Sequence, residues 1–414
     1  MTPYARRLGL FSGTMAVVGG IIGGGIFRTP ATVAERLRSP GLVLLAWVVG
    51  GVVALIGAFC FGELARRHPR AGGGYVYLRE SWGRLPAFLY GWTLVLVIAT
   101  GAIAAVAVTF ADYTLALFGL PHRLSVPLAV AAIVLLSGIN YIGVRPAAIT
   151  TNIFTVLKLA ALAALIAAGL FSAAPAAVHH PVTSPAISGL GAALVPILFT
   201  YGGWQQTNFI AEEIIEPERN LPRALVVGVA IVVTVYLLAN YVYLHVLGVQ
   251  ALGTSTAPAA DTMRALLGPA GEKVIAAGIA LSTFGFLNLV ILVTPRVLQA
   301  MAADGVFFRR FAVLHPTYQT PAAAIVALAS FAVILTLTGT FGQLVDYVTF
   351  GDWIFFGLTV AGLLLDKFRF GPALFVVAAV YVVISVIISN PGYAARGALL
   401  IALGVPAYLS WRTR

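Results

Sequence analysis

The sequence is dominated by long apolar runs separated by short polar stretches. We predict twelve membrane segments from these runs, because about 20 apolar residues in a helix cross the roughly 30 Å hydrocarbon core of a bilayer. The predicted segments cover residues 10–36, 41–65, 85–111, 125–144, 148–171, 188–212, 223–247, 272–302, 321–340, 343–365, 371–389 and 393–411. The pattern therefore predicts an all-α polytopic membrane protein in which residues 1–414 form a single domain.

Two predicted segments are interrupted by glycine in a similar way. Segment 1 contains GGIIGGGIF at residues 19–27, and segment 6 contains FTYGGWQQT at residues 199–207. Each opens a group of five segments, so we predict two halves of opposite orientation, 10–171 and 188–365, with two additional helices in 371–411. Corresponding interruptions in inverted halves indicate a transporter site near the bilayer midplane. Close helix packing through small residues is the alternative interpretation.

Composition and charge exclude other classes of protein. Charged residues make up 9% of the chain and hydrophobic residues 60%, whereas a soluble domain has roughly 25% charged residues. Of the 25 Lys and Arg residues, 17 fall on the side of the predicted termini and 6 on the other side. By the positive-inside rule both termini are expected to be cytoplasmic. The net charge of +11 is thus a topological signal and predicts no nucleic-acid partner.

The break in segment 1 offers backbone groups to a ligand. Glycine inside a helix costs about 1 kcal/mol relative to alanine, so the run of glycines predicts local unwinding. Hydrocarbon leaves the exposed N–H and C=O groups without partners. The N–H groups of Gly23, Gly24 and Gly25 suit a carboxylate, and the carbonyls of Ile21 and Ile22 suit an ammonium group.

Segment 6 adds side chains to this candidate site. Phe199 and Trp204 flank its break and are predicted to form a lid over the substrate and a wall of its side-chain pocket. Ordinary aromatic packing is the alternative for both. Gln205 either forms a hydrogen bond with the substrate or joins two helices.

Two charged residues lie inside predicted membrane segments. Lys158 is near the middle of segment 5, so it should face the interior and have a partner. Its ammonium either occupies the place of a coupling cation or ties segment 5 to the carbonyls of the broken segment 1. Asp352 in segment 10 is a candidate for proton coupling, for contact with a cationic substrate, or for a hydrogen bond to segment 1.

The sequence carries no catalytic signature. Cys60 is the single cysteine, which allows neither an intrachain disulfide nor a cysteine metal site. There is no metal-ligand spacing, no nucleophile–base pair and no nucleotide motif. We therefore expect neither an enzyme nor a cofactor or metal.

Four stretches resemble a known family. They are GGGIF at 23–27, GELARRHPRAGGGYVYLR at 62–79, FTYGGWQQTNFIAEEIIEPERNLPR at 199–223, and the stretch 282–321. Together they resemble the amino acid–polyamine–organocation superfamily of transporters, and within it the L-type amino acid transporter branch and its bacterial relatives. The resemblance implies a LeuT-type fold of 5+5 inverted repeats with discontinuous helices 1 and 6, working by alternating access.

The resemblance also implies roles for individual residues. It assigns recognition of the substrate backbone to Ile21, Gly24, Gly25, Phe199 and Gly202, with Phe199 as the outer gate. Gln205 and Asp352 fall on positions that approach the substrate, and Lys158 falls on a lysine associated with sodium-independent members. Gly24 stands where a serine is common. The loop 112–124 contains no cysteine, so no disulfide-linked accessory subunit is expected.

These observations predict a sodium-independent transporter of neutral L-amino acids in the plasma membrane, with the bacterial inner membrane favoured. Exchange of one amino acid for another is the leading mode, and proton-coupled symport is the alternative. A channel or an amino-acid-sensing receptor is more remote, because no continuous polar pore or soluble signalling module is visible. The predicted substrate-binding residues are Ile21, Ile22, Gly23, Gly24, Gly25, Phe199, Thr200, Gly202, Gly203, Trp204, Gln205 and Asp352.

Overall fold

The structure is a computed structural model that describes residues 4–172, 189–339, 341–389 and 391–412. Its α-helices follow one another along the chain with short connections. They are α1 Leu10–Ile21, α2 Thr29–Leu37, α3 Pro40–Arg67, α4 Gly74–Trp82, α5 Arg84–Thr93, α6 Thr100–Phe118, α7 Ser125–Tyr141, α8 Val144–Leu170, α9 Leu190–Thr200, α10 Pro217–Thr254, α11 Pro258–Val293, α12 Pro295–Ala303, α13 Ala322–Thr338, α14 Phe341–Ala361, α15 Phe370–Ser389 and α16 Pro391–Arg412.

The all-α polytopic prediction is confirmed. By length and composition, eight helices within the described residues are able to cross a membrane, and they correspond to predicted segments 2–5, 7, 8, 11 and 12. Segments 1, 9 and 10 contain shorter apolar helices. The β-structure of the described residues is one isolated parallel bridge between Leu8 and Ile214. The division of the chain into two inverted halves remains a prediction.

Several elements differ in detail from the prediction. The loop after segment 2 contains the helix α4, and the second half of segment 6 is a 3-10 helix over Trp204–Glu213 instead of an α-helix. Segment 8 divides before Pro295, which begins α12. Gly248 and Gly268 adopt positive φ inside α10 and α11, so short helical pieces occupy the long connection predicted between segments 7 and 8. Glycine permits these bends because it lacks a Cβ.

The two interrupted segments lie at the centre of the molecule. α1 packs against α8, α10 and the 3-10 half of segment 6, while α10 packs along α3. From Gly13 to Ile21 every residue of α1 is buried. A helix that is buried on all sides has no amphipathic stripe, which explains why its sequence shows only apolar and small residues. Both breaks are therefore surrounded by packed helices, among them α8, α10 and α11, whose side chains can supply hydrogen bonds.

Segment 3 is also irregular. Between α5 and α6 the chain forms a π-helical stretch over Leu94–Ala99. Such bulges are rare and are found mostly at functional positions. This one packs against α14, the helix that carries Asp352, so the irregularity borders a predicted site residue.

Candidate functional site

The first break lies between α1 and α2. The helix ends at Ile21, and Ile22 leaves the helical region with φ −75° and ψ 87°. A 3-10 turn over Gly25–Phe27 follows, and α2 begins at Thr29. The interruption thus falls where the glycines predicted it, and it removes several backbone groups from the helical hydrogen-bond ladder.

The backbone N–H groups of Gly24 and Gly25 have no acceptor among the described residues, whereas Gly23 N–H donates to Ile21 O at 2.9 Å. Gly24 is exposed, and a Cβ added to it would meet no heavy atom within 4 Å. Two neighbouring N–H groups that lack a protein acceptor and border an open space are suited to a ligand's carboxylate.

The second break follows α9. This helix ends at Thr200, Gly202 N–H donates to Phe199 O at 3.0 Å, and Gly203 adopts φ +110° before the 3-10 helix starts at Trp204. That φ is readily adopted by glycine and is strained for other residues. Gly203 therefore makes possible the sharp change of direction within segment 6.

The two breaks touch each other. A Cβ on Gly20 would lie 2.9 Å from Gly203 O, and a Cβ on Gly203 would collide with Gly20 O. The hydroxyl groups of Thr29 and Thr200 form a 2.8 Å hydrogen bond, which joins α2 to the end of α9. The glycines therefore allow the two backbones to pack closely, and both helices are interrupted where the glycines occur.

Lys158 is fully buried and reaches the first break from α8. Its Nζ donates to Ile22 O at 2.7 Å and to Gly19 O at 3.2 Å. Ser282 from α11 also donates to Ile22 O, at 3.1 Å. The tie between segment 5 and the carbonyls of segment 1, one of the two roles expected for this lysine, is thus present in the structure.

Tyr236 is a residue of this site that the sequence interpretation missed. Its hydroxyl donates to Ile21 O at 3.1 Å and lies 3.5 Å from Thr200 O, so one side chain from α10 contacts a carbonyl in each broken segment. The residue is fully buried. A signal existed, since a tyrosine in the middle of an apolar segment needs a partner for its hydroxyl.

The carbonyls of Ile21 and Ile22 are therefore engaged by the protein. Ile21 O accepts from Gly23 N–H and from the Tyr236 hydroxyl, and Ile22 O accepts from Lys158 and Ser282. A carbonyl oxygen has two lone pairs. In this conformation both oxygens stabilise the break itself, instead of offering the two vacant acceptors that the sequence suggested for an ammonium group.

Phe199 and Trp204 have different surroundings. Phe199 is 44% exposed, as expected of a lid at the edge of an open space. Trp204 is buried at 3% exposure and meets Phe61 edge-on with ring centroids 5.0 Å apart. A cavity beside Trp204 is also lined by Gly202 and Trp353, so the indole forms one wall of an apolar space next to the second break.

Gln205 is turned toward its own backbone. Its Oε1 accepts from Gly203 N–H at 2.9 Å, and its carbonyl accepts from the Asn208 amide at 2.9 Å. Asn208 in turn accepts from the Tyr77 hydroxyl at 3.0 Å. Gln205 therefore stabilises the second break and is joined to α4 through Asn208. Within the described residues its side-chain amide forms no hydrogen bond with a second helix, and its contact with a substrate stays a prediction.

Asp352 lies on α14, away from the direct contacts between the breaks. It is half-buried, and in the described part of the chain it forms no hydrogen bond or ion pair. The next residue, Trp353, lines the cavity with Gly202 and Trp204. The structure thus places Asp352 one residue from the wall of that cavity without joining it to segment 1.

The side of the breaks nearer the N terminus is closed by a polar network. Glu213, at the end of the 3-10 helix, forms a fully buried ion pair with Arg296 of α12 at 2.8 Å. Its carbonyl accepts from Arg7 N–H and Leu8 N–H. Sequence reasoning did not identify this pair, although two charges in an apolar chain predict a partner for each other.

The described residues contain no group of three His, Cys, Asp or Glu side chains able to hold a metal ion. Cys60 is a buried free thiol. The site consists of backbone groups, aromatic rings and one buried ammonium group, which are elements of binding rather than of covalent chemistry.

Comparison with known proteins identifies relatives over most of the chain. Residues 8–389 match the amino acid permease family. The chain is 33% identical to the human b(0,+)-type amino acid transporter 1, covering 94% of this chain and 84% of that protein. It is 30% identical to the human Asc-type amino acid transporter 1, with coverage of 99% and 83%. It is 32% identical to the mouse large neutral amino acids transporter small subunit 2, with coverage of 97% and 80%.

Proposed function

Since the chain belongs to the amino acid permease family, we propose that it transports neutral L-amino acids across the plasma membrane without sodium, as an exchanger. The similar proteins are named amino acid transporters. The observation that carries the proposal is the pair of N–H groups on Gly24 and Gly25 that have no acceptor among the described residues. Gly25 packs against Thr200, whose neighbour Phe199 has an exposed ring. A substrate carboxylate would bind to these donors, and Phe199 would close over it.

Lys158 supports the proposed independence from sodium. Its ammonium group already supplies positive charge to Ile22 O and Gly19 O at the first break. A dissolved cation is then unnecessary to satisfy these carbonyls. A carrier without a coupling ion is driven by its substrates, so counterflow of a second amino acid is the expected source of energy.

Neutral substrates fit the polarity of the space. The cavity next to the second break is lined by Gly202 and by aliphatic and aromatic side chains, among them Leu198, Trp204 and Trp353. A charged substrate side chain would lose its hydration there without gaining a partner. Apolar side chains would instead gain from burial.

The membrane orientation is part of the same proposal. With 17 basic residues on the side of the termini, both termini are placed in the cytoplasm, and a bacterial inner membrane is the favoured location. The single cysteine, Cys60, is buried, which supports a chain that works without a disulfide-linked accessory subunit.

Uptake into proteoliposomes tests this function. Vesicles loaded with unlabelled leucine should take up labelled neutral amino acids faster than empty vesicles, both with sodium and with potassium outside. Equal uptake by loaded and empty vesicles would contradict exchange, and a requirement for sodium would contradict the role given to Lys158. A panel with lysine and glutamate tests the preference for neutral substrates.

Proton-coupled symport is the second candidate, favoured by Asp352, which is half-buried and lacks an ion pair within the described residues. Uptake into empty vesicles that rises with an inward proton gradient, and that collapses when a protonophore is added, would support symport over exchange.

A further inference from the structure

An aromatic cluster lies at one end of the bundle, where α16 ends. Trp411 stacks on Phe307 with ring centroids 5.3 Å apart and meets Phe308 edge-on at 5.1 Å. Phe88 of α5 lies 6.2 Å from the same indole. We call these four residues the Trp411 cluster. Phe308 is 53% exposed and packs on Trp411, a residue type that is enriched at the membrane–water interface.

Three arginines border the Trp411 cluster. Arg309 and Arg310 directly follow Phe308, and Arg84 lies one turn before Phe88 on α5. All three are exposed. Within the described residues, none of them forms an ion pair with an acidic side chain, whereas Arg79 on the neighbouring α4 pairs with both Glu80 and Asp304.

The nearby acidic groups are already engaged. Asp304 accepts a hydrogen bond from the Tyr75 hydroxyl at 2.8 Å and is paired with Arg79. Glu80 lies 2.6 Å from Arg79, and that hydrogen bond lowers the pKa of its carboxyl. The positive charge of Arg84, Arg309 and Arg310 is therefore left without compensation beside an apolar surface.

We propose that this end of the molecule binds a phospholipid with an anionic headgroup. The guanidinium groups of Arg84, Arg309 and Arg310 would hold the phosphate, and an acyl chain would lie against the Trp411 cluster. Arginine suits phosphate because its planar fork donates two parallel hydrogen bonds. A lipid fits both parts of the surface, whereas a dissolved phosphate would use only the arginines. The proposal is independent of what the protein transports.

Binding of labelled phosphatidylglycerol to the full-length chain in detergent tests the proposal. Each arginine near a charged headgroup contributes about 1 kcal/mol, or about a fivefold change in affinity. Arg309→Gln/Arg310→Gln should therefore weaken phosphatidylglycerol binding about 25-fold and leave phosphatidylcholine binding unchanged. The matched control is Arg145→Gln/Arg223→Gln, which removes two exposed arginines that also lack ion pairs in the described residues.

Three results would overturn the proposal. One is equal weakening by the test and control variants, which would indicate non-specific attraction to the basic side of the protein. Another is competition by dissolved glycerol phosphate as strong as that by unlabelled phosphatidylglycerol, which would show that the acyl chain has no role. The third is unaltered selectivity in Arg309→Gln/Arg310→Gln.

Phe308→Ser should lower affinity for long-chain lipid more than for short-chain lipid, because it removes part of the apolar surface without changing charge.

Discussion

The guanidinium group of Arg296 donates two hydrogen bonds to the carboxylate of Glu213, from Nε at 3.2 Å and from Nη2 at 2.8 Å. Both side chains are buried, and the ring of Tyr4 lies 5.9 Å from the guanidinium carbon. Beside the pair, Leu8 forms a parallel bridge with Ile214. These contacts join the N-terminal segment, segment 6 and α12, and they close this side of the breaks.

Arg296→Met should destabilise this closed arrangement. Removing one partner leaves the other as an uncompensated buried charge, at a cost of about 3–5 kcal/mol. We expect a lower unfolding temperature and greater labelling of a cysteine introduced at Thr14, which is buried in α1. The double variant Arg296→Met/Glu213→Met should regain most of the stability, because no unpaired charge remains. A double variant as unstable as the single one would show that the ion pair itself is not what closes this side.

Lys158→Met should impair transport more than it impairs folding. It leaves the carbonyl of Gly19 without the ammonium donor, and Ile22 O keeps only the Ser282 hydroxyl. An unsatisfied buried polar group costs about 1–3 kcal/mol, so the break should adopt this arrangement less often, and we expect uptake to fall by about tenfold or more. Lys273→Met, which removes an exposed lysine, is the control. Normal uptake by Lys158→Met in proteoliposomes would remove the argument for sodium independence.

The sequence predicted the positions of the breaks but not how they are held. The glycines at 19–25 and 202–203 are a local signal, because glycine disfavours a continuous helix wherever it occurs. Tyr236 contacts Ile21 O across 215 residues of sequence, and its partner depends on how α10 packs on α1. The contact of Gln205 was equally unpredictable from sequence. Its side chain accepts from the N–H of Gly203, and this contact depends on the backbone conformation of Gly203, which has a φ of +110°.

Gly24→Val should abolish uptake while leaving the protein folded. The residue has an ordinary φ of −80°, and a Cβ would project into open space, so the substitution fills the space without straining the backbone. Gly24→Ala is the matched control and should retain partial uptake. Gly25→Ala should instead disturb folding, because its Cβ would lie 2.8 Å from Thr200 Cγ2. Wild-type uptake by a folded Gly24→Val protein would contradict the assignment of the site.

Phe199→Ala tests the lid. Because the ring is 44% exposed, its loss should change the unfolding temperature little. It should raise the apparent substrate constant or lower the turnover, since the bound amino acid would no longer be covered. Phe199→Tyr keeps the ring and should remain close to the wild type. Unchanged kinetics of Phe199→Ala, measured as initial uptake over a range of substrate concentrations, would exclude this residue as the gate.

Asp352→Asn separates exchange from proton coupling. The Asn amide has the shape of the protonated carboxyl group but cannot release a proton. A transport step that requires proton release from Asp352 would therefore be lost. If Asp352 carries the proton, the variant should lose the acceleration of uptake at acidic external pH but still exchange amino acids between loaded vesicles. Asp352→Glu, which keeps a titratable group one methylene further from the backbone, should retain some pH dependence. A pH profile of Asp352→Asn identical to that of the wild type would show that this carboxylate takes no part in proton movement, and proton coupling through Asp352 would be excluded.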